Sequence, residues 1–140
     1  MTPENDLSVV AYADGAARGN PGPSSYGVVV YDEDGVELYT GGRALGHGTN
    51  NQAEYAGAIA ALEAALRLGA TSITLRLDSL LVARQLTGQY RVKNAKLKPL
   101  HRRLADLGAR FRRLTVEHVP REENKVADRL ANEALDGRST

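Results

Sequence analysis

Four acidic residues have the types and positions to hold divalent metal ions together. Each lies at the predicted end of a strand or start of a helix, beside an apolar segment: Asp14, Glu54, Asp78 and Asp128. Neighbouring carboxylates repel and raise each other's pKa unless a cation lies between them. A hard ion such as Mg²⁺ binds carboxylate, water and phosphate oxygens. Two such ions would activate a water and stabilise the leaving oxygen of a phosphodiester, so the four acids predict one or two ions and this chemistry.

Each candidate residue also has a purely structural interpretation. The helix dipole favours acids in a first helical turn, which would account for Glu54 and Asp128. The pair Asp14-Gly15 is a common turn sequence. His118, ten residues before Asp128, could transfer protons beside the acids or simply end a strand. The metal hypothesis therefore depends on all four acids meeting at one place.

The elements that would position these residues follow an α/β order. Apolar and alternating runs predict strands over residues 8–13, 26–31, 36–40, 72–77 and 114–119. Apolar periodicity predicts helices over residues 51–68, 80–86, 97–111 and 125–135. A Gly-rich loop is expected over 41–48, and Asn51 and Glu54 have capping-box positions.

A strand, a helix and a strand in succession predict that the first and fourth strands are parallel neighbours. This pairing would place Asp14 beside Asp78 at one end of the sheet. The predicted fold is an α/β domain with a five-stranded mixed sheet, in which three antiparallel strands are followed by parallel strands. Helices are expected on both faces of the sheet.

The composition is that of one domain. Its 140 residues are 42% apolar, and we expect a core over about 8–136 with loose ends at 1–6 and 137–140. The absence of cysteine excludes a disulfide framework and a thiolate metal site, and fits a reducing cytoplasm. The polar N-terminus and the lack of any apolar run of ~20 residues predict a cytoplasmic protein without membrane attachment. We expect it to be a monomer.

The net charge of +1 conceals a strong asymmetry along the chain. Residues 90–113 carry nine basic residues and one acid, a charge of +8, which leaves −7 for the remainder. A segment of this charge is suited to a nucleic-acid backbone. A solvated amphipathic helix would have the same composition, so that alternative stays open.

Four motifs in order resemble a known family, type 1 ribonuclease H. They are YADGAARGNPGP at 12–23, TNNQAE at 49–54, LDS at 77–79 and HVPREENKVAD at 118–128. The resemblance covers essentially residues 9–135. It implies the ribonuclease H-like fold and an endonuclease that cuts the RNA strand of RNA–DNA hybrids by a two-metal-ion mechanism. The implied cofactor is Mg²⁺, with Mn²⁺ as a substitute, and the products carry 5′-phosphate and 3′-hydroxyl ends.

The resemblance also implies roles for individual residues. The metal-binding acids of the family fall on Asp14, Glu54, Asp78 and Asp128, and the histidine of its mobile loop on His118. Its contacts to the minor groove of the hybrid fall on Asn20, Asn50 and Asn51. Its pocket for a phosphate of the DNA strand falls on Thr49 and, through the segment Val92-Lys93-Asn94, on Asn94, and Lys93 of that segment is a further candidate for substrate binding. Tyr90 is expected to supply the aromatic contact to the sugar-phosphate backbone of the DNA strand.

One departure from the family pattern bears on substrate affinity. Many members insert a basic, Trp-rich protrusion where residues 85–93 of this chain are short and tryptophan is absent. We therefore expect weaker and more salt-sensitive hybrid binding than in those members.

Two alternatives to the ribonuclease remain. One is a nuclease or integrase-like enzyme of the same fold, which the motifs at 12–23 and 49–54 disfavour. The other is a non-catalytic hybrid-binding module, which the presence of all four acids disfavours.

Overall fold

A computed structural model describes residues 6–137. The strands are β1 (Ser8–Ala17), β2 (Gly22–Asp32), β3 (Glu37–Gly48), β4 (Ser72–Leu77) and β5 (Arg113–His118). The helices are α1 (Asn50–Arg67), α2 (Leu80–Leu86), α3 (Lys98–Gly108) and α4 (Lys125–Leu135), with a 3₁₀ turn at Arg121–Glu123.

The five strands form one mixed sheet in the order β3-β2-β1-β4-β5. β1, β2 and β3 are antiparallel, whereas β4 pairs in parallel with both β1 and β5. The predicted mixed sheet and the parallel pairing of the first and fourth strands are confirmed. In this register Ala13 of β1 lies beside Leu77 of β4. The next residues, Asp14 and Asp78, therefore lie at the same end of the sheet.

Helices pack on both faces of the sheet, as predicted. Adjacent residues of a strand point to opposite faces; Tyr26 lies against Gly57 of α1, whereas Gly27 lies against α4. A Cβ on Gly27 would overlap the α4 backbone, and a Cβ on Gly15 would overlap the α1 backbone at Glu54. Glycine at these two positions therefore allows each helix to approach the sheet closely beside the acids.

The main core lies between α1 and the sheet. Its fully buried members include Ala11, Ala13, Val28, Val30, Tyr55, Leu62, Leu75 and Leu77. Each large apolar side chain buried in this way contributes roughly 1.5–3 kcal/mol. The hydroxyl of Tyr55 donates to Gln85 Oε1 at 2.7 Å, which joins α1 to α2 inside the core.

The structure corrects several predicted boundaries. β1 continues past Asp14 to Ala17, so this acid lies within a strand and not at its end. The Gly-rich segment 41–48 belongs to β3 and is not a loop, because its backbone pairs with residues 22–28 of β2. Ladder hydrogen bonds there outweigh the weak strand preference of glycine. α3 ends at Gly108, earlier than predicted, and Phe111 beyond it is buried in the core.

The start of α1 also differs from its prediction. Thr49 caps the helix: its Oγ1 accepts the Gln52 N–H at 3.1 Å, and Gln52 Oε1 accepts the Thr49 N–H at 2.8 Å. The predicted capping box of Asn51 and Glu54 is wrong, because α1 begins at Asn50 with Thr49 as its N-cap, so Asn51 is already inside the helix. Glu54 lies beyond the first turn, so the helix dipole does not explain its presence.

The predicted loose ends fall mostly outside the described residues, namely at 1–5 and 138–140. Asp6 is anchored, since its carboxylate pairs with Arg112 at 3.1 Å. Between residues 6 and 137, no helix has the length and apolar character needed to cross a membrane.

Candidate metal centre

An acidic recess of about 420 Å³ opens at the end of the sheet where Asp14 lies in β1 and Asp78 directly follows β4. Its polar lining includes Asp14, Glu54, Asp78, Asp128, Arg121 and Asn132. One carboxylate oxygen each from Asp14, Glu54 and Asp78 lies within 4.8 Å of the other two. Asp14 and Glu54 are each only 6% exposed, so water cannot fully solvate their charges.

Glu54 is held by β1 across a long sequence separation. Its Oε1 accepts the Gly15 N–H at 2.9 Å, and this contact is possible because Gly15 has no side chain to separate α1 from β1. Its Oε2 is buried and has no hydrogen-bond partner among the described residues. A buried carboxylate oxygen without a donor is costly, so a cation bound to this oxygen would stabilise the folded chain.

Asp128 lies in the first turn of α4, as predicted, and lines the same recess. Asn132, one turn later, donates from Nδ2 to the Asp128 carbonyl at 2.9 Å and to its Oδ1 at 3.3 Å. Asp128 is not one of the three acids within 4.8 Å of one another. The structure therefore brings three predicted acids together and sets the fourth beside them.

Burial and mutual repulsion disfavour the charged forms of these acids. Burial is the main cause that raises the pKa of Asp14 above its ordinary value of 3.8, and Glu54, Asp78 and Asp128 raise it further. Burial also raises the pKa of Glu54, although a hydrogen bond with the Asp14 carboxyl, the Gly15 N–H and the positive charge of Arg121 act in the opposite direction. A cation among these oxygens would allow all of them to ionise.

The donor set fits a hard divalent cation. It consists of carboxylate oxygens, which Mg²⁺, Mn²⁺ and Ca²⁺ prefer, and the carboxylate of Glu54 has a buried oxygen, Oε2, that no described residue hydrogen-bonds. Carboxylates are frequent on protein surfaces without a metal, but buried ones that converge in this way need charge compensation.

His118 lies outside the recess. It is the last residue of β5, is exposed, and pairs in register with Leu77, the residue before Asp78. Arg121, three residues later, is the basic residue among those that line the recess. A role for His118 in proton transfer stays a prediction.

Two of the three predicted minor-groove residues line the recess, and the third is hydrogen-bonded to one of them. Asn50 and Asn51 line it, and Asn20 Oδ1 accepts the Asn50 N–H at 3.0 Å. This hydrogen bond joins the loop after β1 to the start of α1. The Thr49 hydroxyl caps α1 and does not line the recess.

The other predicted substrate residues do not line the recess. Tyr90 is exposed, and its ring and hydroxyl contact Arg84, whose guanidinium carbon lies 5.3 Å from the ring centroid. Lys93 is exposed, and Asn94 Oδ1 accepts the Lys96 N–H at 2.8 Å in the turn before α3. Their contact with substrate stays a prediction.

Sequence reasoning missed three polar residues of this region. Arg121 and Asn132 line the recess, and Asn124 hydrogen-bonds Asp78. Asn132 could have been found, because residues four apart on a helix share a face and Asp128 was already a candidate. No spacing rule points to Asn124, whose partners come from distant segments.

Comparison with known proteins identifies the family. A family model described as "Reverse transcriptase-like" matches residues 12–134. Ribonuclease HI from Halobacterium salinarum is 48% identical over 136 residues, covering 97% of this chain and 68% of that protein. The chain belongs to the ribonuclease H family. A crystal structure of RNase H1 from the same archaeon has a TM-score of 0.91, 48% identity, and coverage of 93% and 98% of the two chains. The predicted family and fold are confirmed.

Two further ribonuclease H relatives are similar. The Mycobacterium tuberculosis protein Rv2228c, described as bifunctional, is 47% identical over 131 residues, or 93% of this chain. The chain spans only 36% of the length of that relative. The N-terminal RNase H domain of Rv2228c has a TM-score of 0.92, 46% identity, and coverage of 94% and 96% of the two chains. LC11-RNase H1 was isolated from compost by a metagenomic approach and was crystallised in complex with an RNA/DNA hybrid. The structure of that complex has a TM-score of 0.88 and 40% identity, and the match covers 92% of this chain and 97% of LC11-RNase H1.

Proposed function

We propose that this chain is an endonuclease that hydrolyses the RNA strand of RNA–DNA hybrids by a two-metal-ion mechanism. The observation that carries the proposal is the convergence of Asp14, Glu54 and Asp78 in a member of the ribonuclease H family. The hybrid bound by LC11-RNase H1 supports the substrate class. We further propose Mg²⁺ as the ion in use, Mn²⁺ as a substitute, and a monomer as the active form.

Four acids would hold the ions. In this proposal Asp14 and Asp78 would serve both ions, Glu54 would help to hold one of them and Asp128 the other. When bound, divalent ions activate a water and stabilise the leaving oxygen of the phosphodiester. The chain itself orients the ligands: the Gly15 N–H holds Glu54, and Asn132 holds Asp128.

Substrate binding would use residues that line the recess and the basic segment 90–113. The exposed guanidinium of Arg121 is suited to a phosphate beside the cut. Asn50 and Asn51 would contact the 2′-hydroxyls that distinguish RNA from DNA. The basic residues of α3 are exposed and, with Tyr90, would follow the backbone of the DNA strand.

One gel assay with three labelled duplexes tests the function. We expect cleavage of the RNA strand in an RNA–DNA hybrid and none in duplex RNA or duplex DNA. EDTA should stop cleavage and excess Mg²⁺ should restore it, because the carboxylates alone cannot activate water. Cleavage of duplex DNA would favour the integrase-like alternative, and hybrid binding without any cleavage would favour a binding module.

His118→Ala is expected to slow turnover without stopping it. Loss of a general acid or base typically costs 10²- to 10⁴-fold in rate, and we expect about 10²-fold because bound ions can still activate water. The measurement is the steady-state rate on the labelled hybrid, with added imidazole as the control for a proton-transfer role. An unchanged rate would leave His118 as a residue that merely ends β5.

A further inference from the structure

Asn124 connects three parts of the candidate metal centre. Its side chain is 1% exposed, and Nδ2 donates to the Ala13 carbonyl at 3.0 Å and to Asp78 Oδ2 at 3.1 Å. Ala13 directly precedes Asp14 in β1. The backbone carbonyl of Asn124 accepts the Asp128 N–H at 3.1 Å at the start of α4. Asn124 therefore contacts the side chain of Asp78, the backbone carbonyl directly before Asp14 and the backbone N–H of Asp128.

The side chain of Asn124 does not perform its usual task at this position. Asparagine before a helix normally accepts a backbone N–H from the first helical turn. Here the side chain makes no capping hydrogen bond, and its Oδ1 is buried without a partner among the described residues. Both features are unfavourable for folding, and departures of this kind concentrate at functional sites. The side chain of Asn124 is therefore held in place by the two hydrogen bonds that its Nδ2 donates.

We infer that Asn124 is a positioning residue for the metal centre. Its Nδ2 donates to Oδ2 of Asp78, so Oδ1 of Asp78 is the oxygen that remains available to a cation. Because the same Nδ2 also donates to the Ala13 carbonyl, it fixes the distance between Asp78 and β1. The inference rests on the proposed use of a divalent ion. Residues that orient a metal ligand through a hydrogen bond typically contribute 10- to 100-fold to metal affinity.

The test is a calorimetric titration of the metal-free chain with Mn²⁺ in the absence of nucleic acid. Asn124→Ala should weaken Mn²⁺ binding by about 10- to 100-fold, because the Asp78 carboxylate becomes free to rotate. Hybrid cleavage should fall at low Mn²⁺ and recover in part at saturating Mn²⁺. The titration is made where circular dichroism shows the metal-free variant to be folded, because a metal that binds the folded state would also rescue a variant that is merely unstable.

Ser25→Ala is the matched control. The buried Ser25 hydroxyl donates to the Ala131 carbonyl, so it also ties α4 to the sheet, but it contacts no acid of the recess. This variant should lower the urea midpoint and leave the Mn²⁺ affinity within about twofold of wild type, since the perturbed sites are distinct.

Two results would overturn the inference. One is an Mn²⁺ affinity of Asn124→Ala equal to that of wild type, and the other is an equal loss of affinity in Ser25→Ala. If Asn124→Ala does not fold, Asn124→Ser in stabilising sucrose must show the same weakening. Wild-type protein that binds Mn²⁺ without cutting hybrid would contradict the proposed function and leave the role of Asn124 intact.

Discussion

Asp14→Asn is expected to abolish hybrid cleavage in Mg²⁺ while the fold stays intact. Asp14 is buried beside Glu54 and Asp78, and asparagine has the same shape without the negative charge. Metal ions contribute several kcal/mol to phosphodiester cleavage, and each 1.4 kcal/mol is a factor of ten, so the rate should fall by about 10³-fold or more. The measurement is the single-turnover rate on a labelled hybrid.

Asp106→Asn provides the matched control for this experiment. Asp106 is exposed on α3, away from the recess, and its replacement removes the same charge. We expect its cleavage rate to stay within about twofold of wild type, as is usual for surface substitutions. Circular dichroism and urea unfolding should show that both variants are folded. Full activity of Asp14→Asn would refute the assignment of this acid to the metal centre.

The metal-free protein should lose stability as the pH rises from about 4 to about 8. Burial raises the pKa of both Asp14 and Glu54 above their ordinary values of 3.8 and 4.5. At low pH the two carboxyls are protonated in both the folded and the unfolded chain, so they do not change the free energy of unfolding. As the pH rises, the unfolded chain releases these protons first, so the free energy of unfolding decreases until the folded carboxyls ionise.

The expected decrease is a few kcal/mol over this range, since one pKa unit corresponds to about 1.4 kcal/mol and burial raises the pKa of Glu54 alone from 4.5 to about 7. It can be measured by urea unfolding in EDTA at several pH values. Other groups titrate in the same range, so the informative quantity is the difference between wild type and Asp14→Asn.

Asp14→Asn should be the more stable protein at pH 8 without metal, and its stability should depend less on pH. Added Mg²⁺ should stabilise wild type and have little effect on the variant, because only wild type has the complete site. Stability that rises with pH equally in both proteins would contradict the raised pKa of Asp14. Combined with the first prediction, the expected result is a variant that gains stability and loses activity.

Local signals in the sequence predicted a large part of the fold. α2, α4 and β4 have the predicted bounds, because their apolar periodicity is strong and their ends carry clear breaks. The first and fourth strands pair as expected because a strand, a long helix and a strand leave few other arrangements. The predicted bounds of β3 were wrong because its glycines weaken the strand pattern. The predicted start of α1 was wrong because both Thr49 and Asn51 are suitable capping residues, and Thr49 is the one that caps the helix.

By itself, the sequence determined the family, the order of the elements and the four acids, because residue type, period and motif spacing are local properties. Only the tertiary structure decided that Asp14, Glu54 and Asp78 converge while Asp128 lies beside them, and that Arg121 and not His118 lines the recess. It alone revealed Asn124, whose hydrogen bonds reach 46 residues back to Asp78 and 111 residues back to Ala13. Contacts over such separations depend on how helices pack across the sheet, and this packing is possible here because Gly15 and Gly27 carry no side chains.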